Sequence, residues 1–170
     1  MSSLRRSLTR PLAREAATRA VVFFMIMALV GFADSTFLAV EHYRGVIPPC
    51  SANEGCEKVL SSQYSAVFGV PTALFGSLYY LAVSLGSFIY LESRHGRGSV
   101  AAHHAAILKW TMLATVLGFV MSLWFVYLQL FILRSICIYC MGSAATSTVL
   151  FIAAATMLKK YSAADRPPTV

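Results

Sequence analysis

The sequence contains four cysteines, and they come in two pairs. Cys50 and Cys56 lie in a polar stretch after the first apolar run. Cys137 and Cys140 form a Cys-Ile-Tyr-Cys motif at the start of the last apolar run. A disulfide within one helical turn closes a very short loop and restrains little, so the second pair suits exchange better than stapling. Three residues apart on a helix, its sulfurs share a face. In a first helical turn, free amides and the positive dipole end stabilise a thiolate, and Arg134 adds to this. Cys50 and Cys56 also close only a small loop. Their segment can swing, because six residues span at most about 20 Å. Pro48 and Pro49 stiffen the approach to Cys50. A mobile dithiol can take electrons from a soluble partner and present one sulfur to a fixed dithiol. The alternatives are two structural disulfides, or a zinc site of all four sulfurs, for which C-x5-C beside a membrane-embedded C-x2-C is poor spacing.

The elements that must hold these pairs are apolar. The chain is 58% hydrophobic and 12% charged, about half the charge of a soluble domain. Its apolar residues fall into runs near 20–40, 70–91, 107–133 and 136–158, each long enough to cross a bilayer. The fold class expected is an all-α membrane protein, a four-transmembrane-helix bundle. Its extracytoplasmic loop, between helices 1 and 2, has room for a short interfacial helix near 57–65. Residues 1–19 read as a cytoplasmic basic N-terminus, 20–158 as the membrane domain and 159–170 as a cytoplasmic tail. No early small-residue cleavage pattern marks a signal peptide, and Glu15 argues against a transit peptide.

The net charge of +7 reads as topology, and no nucleic-acid partner is expected. Eleven of the 14 Lys and Arg residues lie in the N-terminal flank, the 92–109 connection and the C-terminal tail. By the positive-inside rule these segments are cytoplasmic, and both cysteine pairs face the opposite, oxidising side, where disulfides persist. The histidines, His42, His95, His103 and His104, show no ligand spacing, so no metal is expected. Asp34 is a carboxylate within a span, which is costly, and it shares a face with Glu41 if the helix continues. Pro71 suits the first turn of the second span, and Gly76 allows a close neighbour there. Tyr79 and Tyr80 lie deep for belt residues; packing plus a hydrogen bond is the expected role, and a place on a cavity wall is the alternative for one of them. Trp124, Tyr127 and Gln129 fall where an aromatic belt would lie. Small residues from Gly142 to Thr148 favour tight packing of the last helix.

Cys50-x5-Cys56-x5-Ser62, then Phe68-Gly69-Val70-Pro71 and Gly76, then Cys137-Ile-Tyr-Cys140, resembles the vitamin K epoxide reductase family, above all its bacterial members. The stretch from Asp34-Ser35-Thr36-Phe37-Leu38 to His42-Tyr43 resembles their first helix. The likeness covers about 31–155. It implies a membrane oxidoreductase in which Cys50 exchanges with a separate thioredoxin-fold thiol oxidase in the periplasm. Cys56 then passes electrons to Cys137, and Cys140 delivers them to a quinone, ubiquinone or menaquinone. Ser62 stands where the family has a serine near the quinone. Thr72 stands near the place of an asparagine that binds the quinone oxygen in the animal enzymes, and Tyr80 is counted with these contacts. Ala144 replaces a tyrosine of the animal enzymes, which points to quinone rather than epoxide reduction. The implied location is the inner (plasma) membrane. Competing readings are a non-enzymatic scaffold, the other four-helix family that recycles thiol oxidases, and a small transporter. The second of these carries its C-x-x-C by the first extracytoplasmic loop. A transporter needs polar residues along several spans.

Overall fold

The computed structural model describes residues 2–50, 55–95 and 104–164. His103, and Arg97 and Arg166 among the counted basic residues, lie outside the described residues. Helix α1 covers Ser2–Arg44, α2 Gly55–Leu60, α3 Thr72–His95, α4 His104–Tyr127 and α5 Ile138–Ala164. A π-helical turn, Leu128–Leu133, continues α4. Strands β1 (Ala66–Val67) and β2 (Val70–Pro71) pair antiparallel, with Ala66 opposite Pro71.

Among the described residues, four helices are long and apolar enough to span a bilayer, over Thr18–Arg44, Thr72–Glu92, Lys109–Leu133 and Ile138–Met157. Their outward faces carry large apolar side chains, with Leu117 64% and Phe131 65% exposed. Leaving such a side chain in water forfeits about 1.5–3 kcal/mol of burial. In lipid the penalty vanishes, so this is a multi-pass membrane protein.

The second helix starts later than its proline suggested. Pro71 closes β2 instead of opening the helix. The cause is the turn at Phe68-Gly69, where φ is +52° and +79°. Two successive positive φ values reverse the chain in two residues, as hairpin turns require. Thr72 then starts α3, and its N–H and hydroxyl both donate to the Ser65 carbonyl, at 2.9 and 3.0 Å. The short helix expected near 57–65 forms over Gly55–Leu60, and Ser61–Ser65 is a string of turns behind it.

The bundle core draws on all four spans: Phe24 and Ala28 from α1, Tyr80 and Val83 from α3, Met112 from α4, Leu150 and Ala154 from α5. Close approach depends on two glycines. Gly31 lies under the Tyr80 ring and Gly118 under the Tyr79 ring, where a Cβ would penetrate the aromatic carbons. The Tyr80 hydroxyl donates to the Ser143 carbonyl at 2.6 Å and lies 2.9 Å from Thr146 Oγ1. This ties α3 to the small-residue stretch of α5, where Ser147 is buried. The strut fixes the α5 turn that follows the cysteine motif.

Candidate active site

All four cysteines meet at one end of the bundle. Cys50 and Cys56 are joined by a disulfide, with Cα atoms 6.0 Å apart. Cys137 and Cys140 are free thiols. Cys56, Val59 and Cys137 form a buried cluster, and Cys50, Leu60, Leu133, Tyr139 and Cys140 pack against it. Cys56 and Cys137 are each wholly buried. Burial together in one cluster is the arrangement that transfer from one pair to the other requires.

Three contacts hold the pairs together. Gly55, at the start of α2, lies on the backbone of Ile136, so close that a Cβ there would stand 2.6 Å from the Ile136 carbonyl oxygen. The Tyr139 hydroxyl donates to the Pro49 carbonyl at 3.3 Å. The Tyr139 ring also rests on Phe37 of α1, with centroids 5.6 Å apart. Tyr139, the aromatic residue of the Cys-Ile-Tyr-Cys motif, is thus a strap between α1, the Cys50 approach and α5.

Cys137 does not lie within the first helical turn, as its spacing to Cys140 suggested. It is the N-cap of α5: the helix begins at Ile138, and the Cys137 carbonyl accepts the Met141 N–H at 3.0 Å. The physical reason is Gln129. Its side-chain oxygen accepts the Cys137 N–H at 2.8 Å, which holds Cys137 outside the helix. Its backbone carbonyl accepts the N–H groups of Arg134 and Ser135 and so closes the π turn. Gln129 is 2% exposed, not a belt residue at the membrane surface. The signal available in the sequence was a lone amide side chain, eight residues before Cys137, in an otherwise apolar stretch.

The Cys137 thiol is held below its ordinary value, at about 7. The Cys140 thiol beside it is the largest cause, and the amides of Cys140 and Tyr139 help. Burial and the Asp34 carboxylate oppose the shift. Arg134, exposed at the end of the π turn, is not among the groups acting on this thiol. With the Cys50–Cys56 disulfide intact, thiolate ultraviolet absorbance is expected to rise as pH increases through about 7. In a Cys140→Ala variant the inflection should move up toward pH 8.5, the ordinary thiol value. An unmoved inflection would mean that Cys140 does not set the acidity of Cys137.

A cavity of about 710 Å³ opens beside the cluster, within the range of small-molecule sites. Cys140, Ser62, Thr72 and Tyr80 all stand on its wall, as do Gln129 and Ala144. Cys137 is not on that wall and packs with Cys56 instead. Of the expected polar contacts, each hydroxyl already donates within the protein: Ser62 to the Val59 carbonyl at 2.7 Å, Thr72 to Ser65, and Tyr80 to Ser143. Tyr79 lines the cavity as well. Asp34 does not reach the wall, and one of its oxygens is buried without a hydrogen-bond partner among the described residues. Glu41 pairs with Arg44 at 2.9 Å. Among the described residues, no group of three or more His, Cys, Asp or Glu side chains is placed to hold a metal ion.

The model of the Vitamin K epoxide reductase family matches residues 22–155. A comparison with curated proteins found no match.

Proposed function

Because the chain belongs to the Vitamin K epoxide reductase family, and is therefore a membrane disulfide-bond oxidoreductase, we propose that it oxidises a thioredoxin-fold partner and passes the electrons to a quinone. The observation that carries this reading is the position of Cys140, which touches the buried cysteine cluster on one side and the cavity on the other. The cavity is large and mainly apolar in its lining residues, which fits a quinone ring. The quinone supplies a two-electron acceptor that takes up two protons.

The proposed sequence balances at each step. A partner thiolate attacks Cys50, and the Cys50–Cys56 disulfide opens. The partner's second thiol resolves the mixed disulfide, leaving the partner oxidised and Cys50 and Cys56 reduced. The Cys56 thiolate attacks Cys137 of an oxidised Cys137–Cys140 pair and expels Cys140. Cys50 then attacks Cys56 and expels Cys137, whose low pKa makes it a good leaving group. The outer pair ends oxidised and the inner pair reduced, which is the state of the four sulfurs in this structure. With a quinone held in the cavity beside Cys140, oxidation of the Cys137–Cys140 dithiol back to its disulfide would release two electrons and two protons, the number that reduction to the quinol takes up.

By the charge distribution, both termini lie in the cytoplasm and the cysteines on the periplasmic side of the plasma membrane, with 20–158 as the working domain. The test is dithiol-dependent quinone reduction by the purified protein, with capture of the partner by a Cys56→Ser variant. With the partner supplied in its disulfide form, the free Cys50 thiolate of the variant attacks that disulfide, displaces one partner thiol and is expected to hold a Cys50–partner mixed disulfide that reductant releases. Normal quinone reduction by Cys140→Ala would sink the role given to that thiol.

A further inference from the structure

We infer that Gln129 is the positioning residue of the electron relay: its side-chain amide fixes Cys137 at the N-cap of α5, so that the sulfur of Cys137 serves Cys56 while that of Cys140 serves the cavity. The inference rests on the proposed relay and deepens it. Its basis is geometric. The first N–H groups of a helix have no intrahelical partner and need one when buried. Cys137 is wholly buried, and its N–H finds that partner in Gln129 Oε1 at 2.8 Å. A backbone N–H can only donate, so the accepting end of the amide is not in doubt.

Gln129 is itself fixed from several directions. Its backbone carbonyl takes the Arg134 and Ser135 N–H groups, and its Nε2 reaches the Phe125 carbonyl at 3.5 Å. It also stands on the cavity wall. One residue therefore joins the π turn, the cavity and the cysteine backbone. The consequence is a division between thiols only three residues apart. The two sulfurs stay beside one another, as a disulfide between them requires, and the division lies in their other neighbours: Cys140 is on the cavity wall and Cys137 is not. Held outside the helix, Cys137 stays in the cluster with Cys56. The side-chain amide of Gln129 is engaged by the Cys137 N–H and the Phe125 carbonyl, so its effect on the relay passes through Cys137.

The test uses the full-length protein in a Cys50→Ser background, with three further substitutions. Gln129→Met keeps the bulk and loses the acceptor. Gln129→Asn keeps the amide but shortens its reach by one methylene. Gln129→Glu keeps an acceptor oxygen at the same reach. The first readout is the yield of a Cys56–Cys137 cross-link after the inner pair is oxidised by a water-soluble quinone. Gln129→Met and Gln129→Asn are expected to lower that yield about tenfold, and Gln129→Glu to restore most of it. The second readout, with Cys50 present, is dithiol-dependent quinone reduction: kcat should fall about tenfold for Gln129→Met with little change in KM for the quinone. Wild-type cross-link yields in Gln129→Met and Gln129→Asn overturn the inference. So does equal loss in all three variants, since a merely structural defect would not be rescued by Glu. A protein that forms the cross-link with a chemical oxidant yet reduces no quinone refutes the functional reading and leaves the cross-link pattern to judge Gln129.

Discussion

A Cys50→Ser variant is expected to accumulate a covalent link between Cys56 and Cys137, and its quinone-linked turnover to fall about a thousandfold. The reason is the order of attack. Cys56 lies in the buried cluster with Cys137, so its thiolate can open an oxidised inner pair and expel Cys140. The thiol that carries the product forward is Cys50, which the structure joins to Cys56, whereas attack by the neighbouring Cys140 only restores the starting inner pair. Serine cannot resolve it, and the mixed disulfide persists. A non-reduced digest analysed by mass spectrometry should contain the Cys56–Cys137 peptide pair and a free Cys140. Stable coexistence of a free Cys56 thiol with an intact Cys137–Cys140 disulfide would exclude direct transfer between these sulfurs.

The second large effect is expected at Gly55. Valine there should slow transfer from the outer to the inner pair about a hundredfold, while a small dithiol still reduces Cys50–Cys56 at the normal rate. Two effects compete. Replacing a helical glycine gains up to about 1 kcal/mol of helix propensity. Against that, the first added carbon would stand 2.6 Å from the Ile136 carbonyl oxygen, and backbone on both sides leaves no side chain to swing away. Packing wins, and α2 must lift. A displacement of about 1 Å between reacting groups can cost about a hundredfold in rate. Single-turnover measurement of inner-pair reduction, after the outer pair is loaded with electrons, checks this. An unchanged transfer rate in Gly55→Val would show that the contact is not what brings the pairs together.

The parts of this protein legible in its sequence are those written in long apolar runs and in cysteine spacing. The spans near 20–40 and 107–133 emerge as Thr18–Arg44 and Lys109–Leu133, because about 20 apolar residues have few other uses. The departures have local causes. Val70 and Pro71 read as a helix start, and only a left-handed Phe68, which its side chain disfavours, sends them into a hairpin instead. Cys137 reads as a first-turn residue because its spacing to Cys140 is helical, and a tertiary bond from Gln129 overrides that spacing. Gln129 resembled an interfacial residue because it follows Trp124 and Tyr127 toward one end of its span, whereas its value lies in a partner eight positions ahead. The seating of Gly55 on Ile136 joins segments some 80 residues apart, and no local pattern encodes it.

The π turn at Leu128–Leu133 also bears on how such a chain can change its length. A π turn is an α-helix that has taken in one extra residue. Loss of a single residue between Gln129 and Leu133 would let this turn take regular α form, and the side chains from the deletion to Leu133 would rotate by about 100° relative to those before it. The chain from Gln129 to Cys137 would be one residue shorter, and the bond between the Gln129 side chain and the Cys137 N–H would lose its present spacing, although both residues would remain in the sequence. The number of residues between the glutamine and the cysteine is thus itself part of the site.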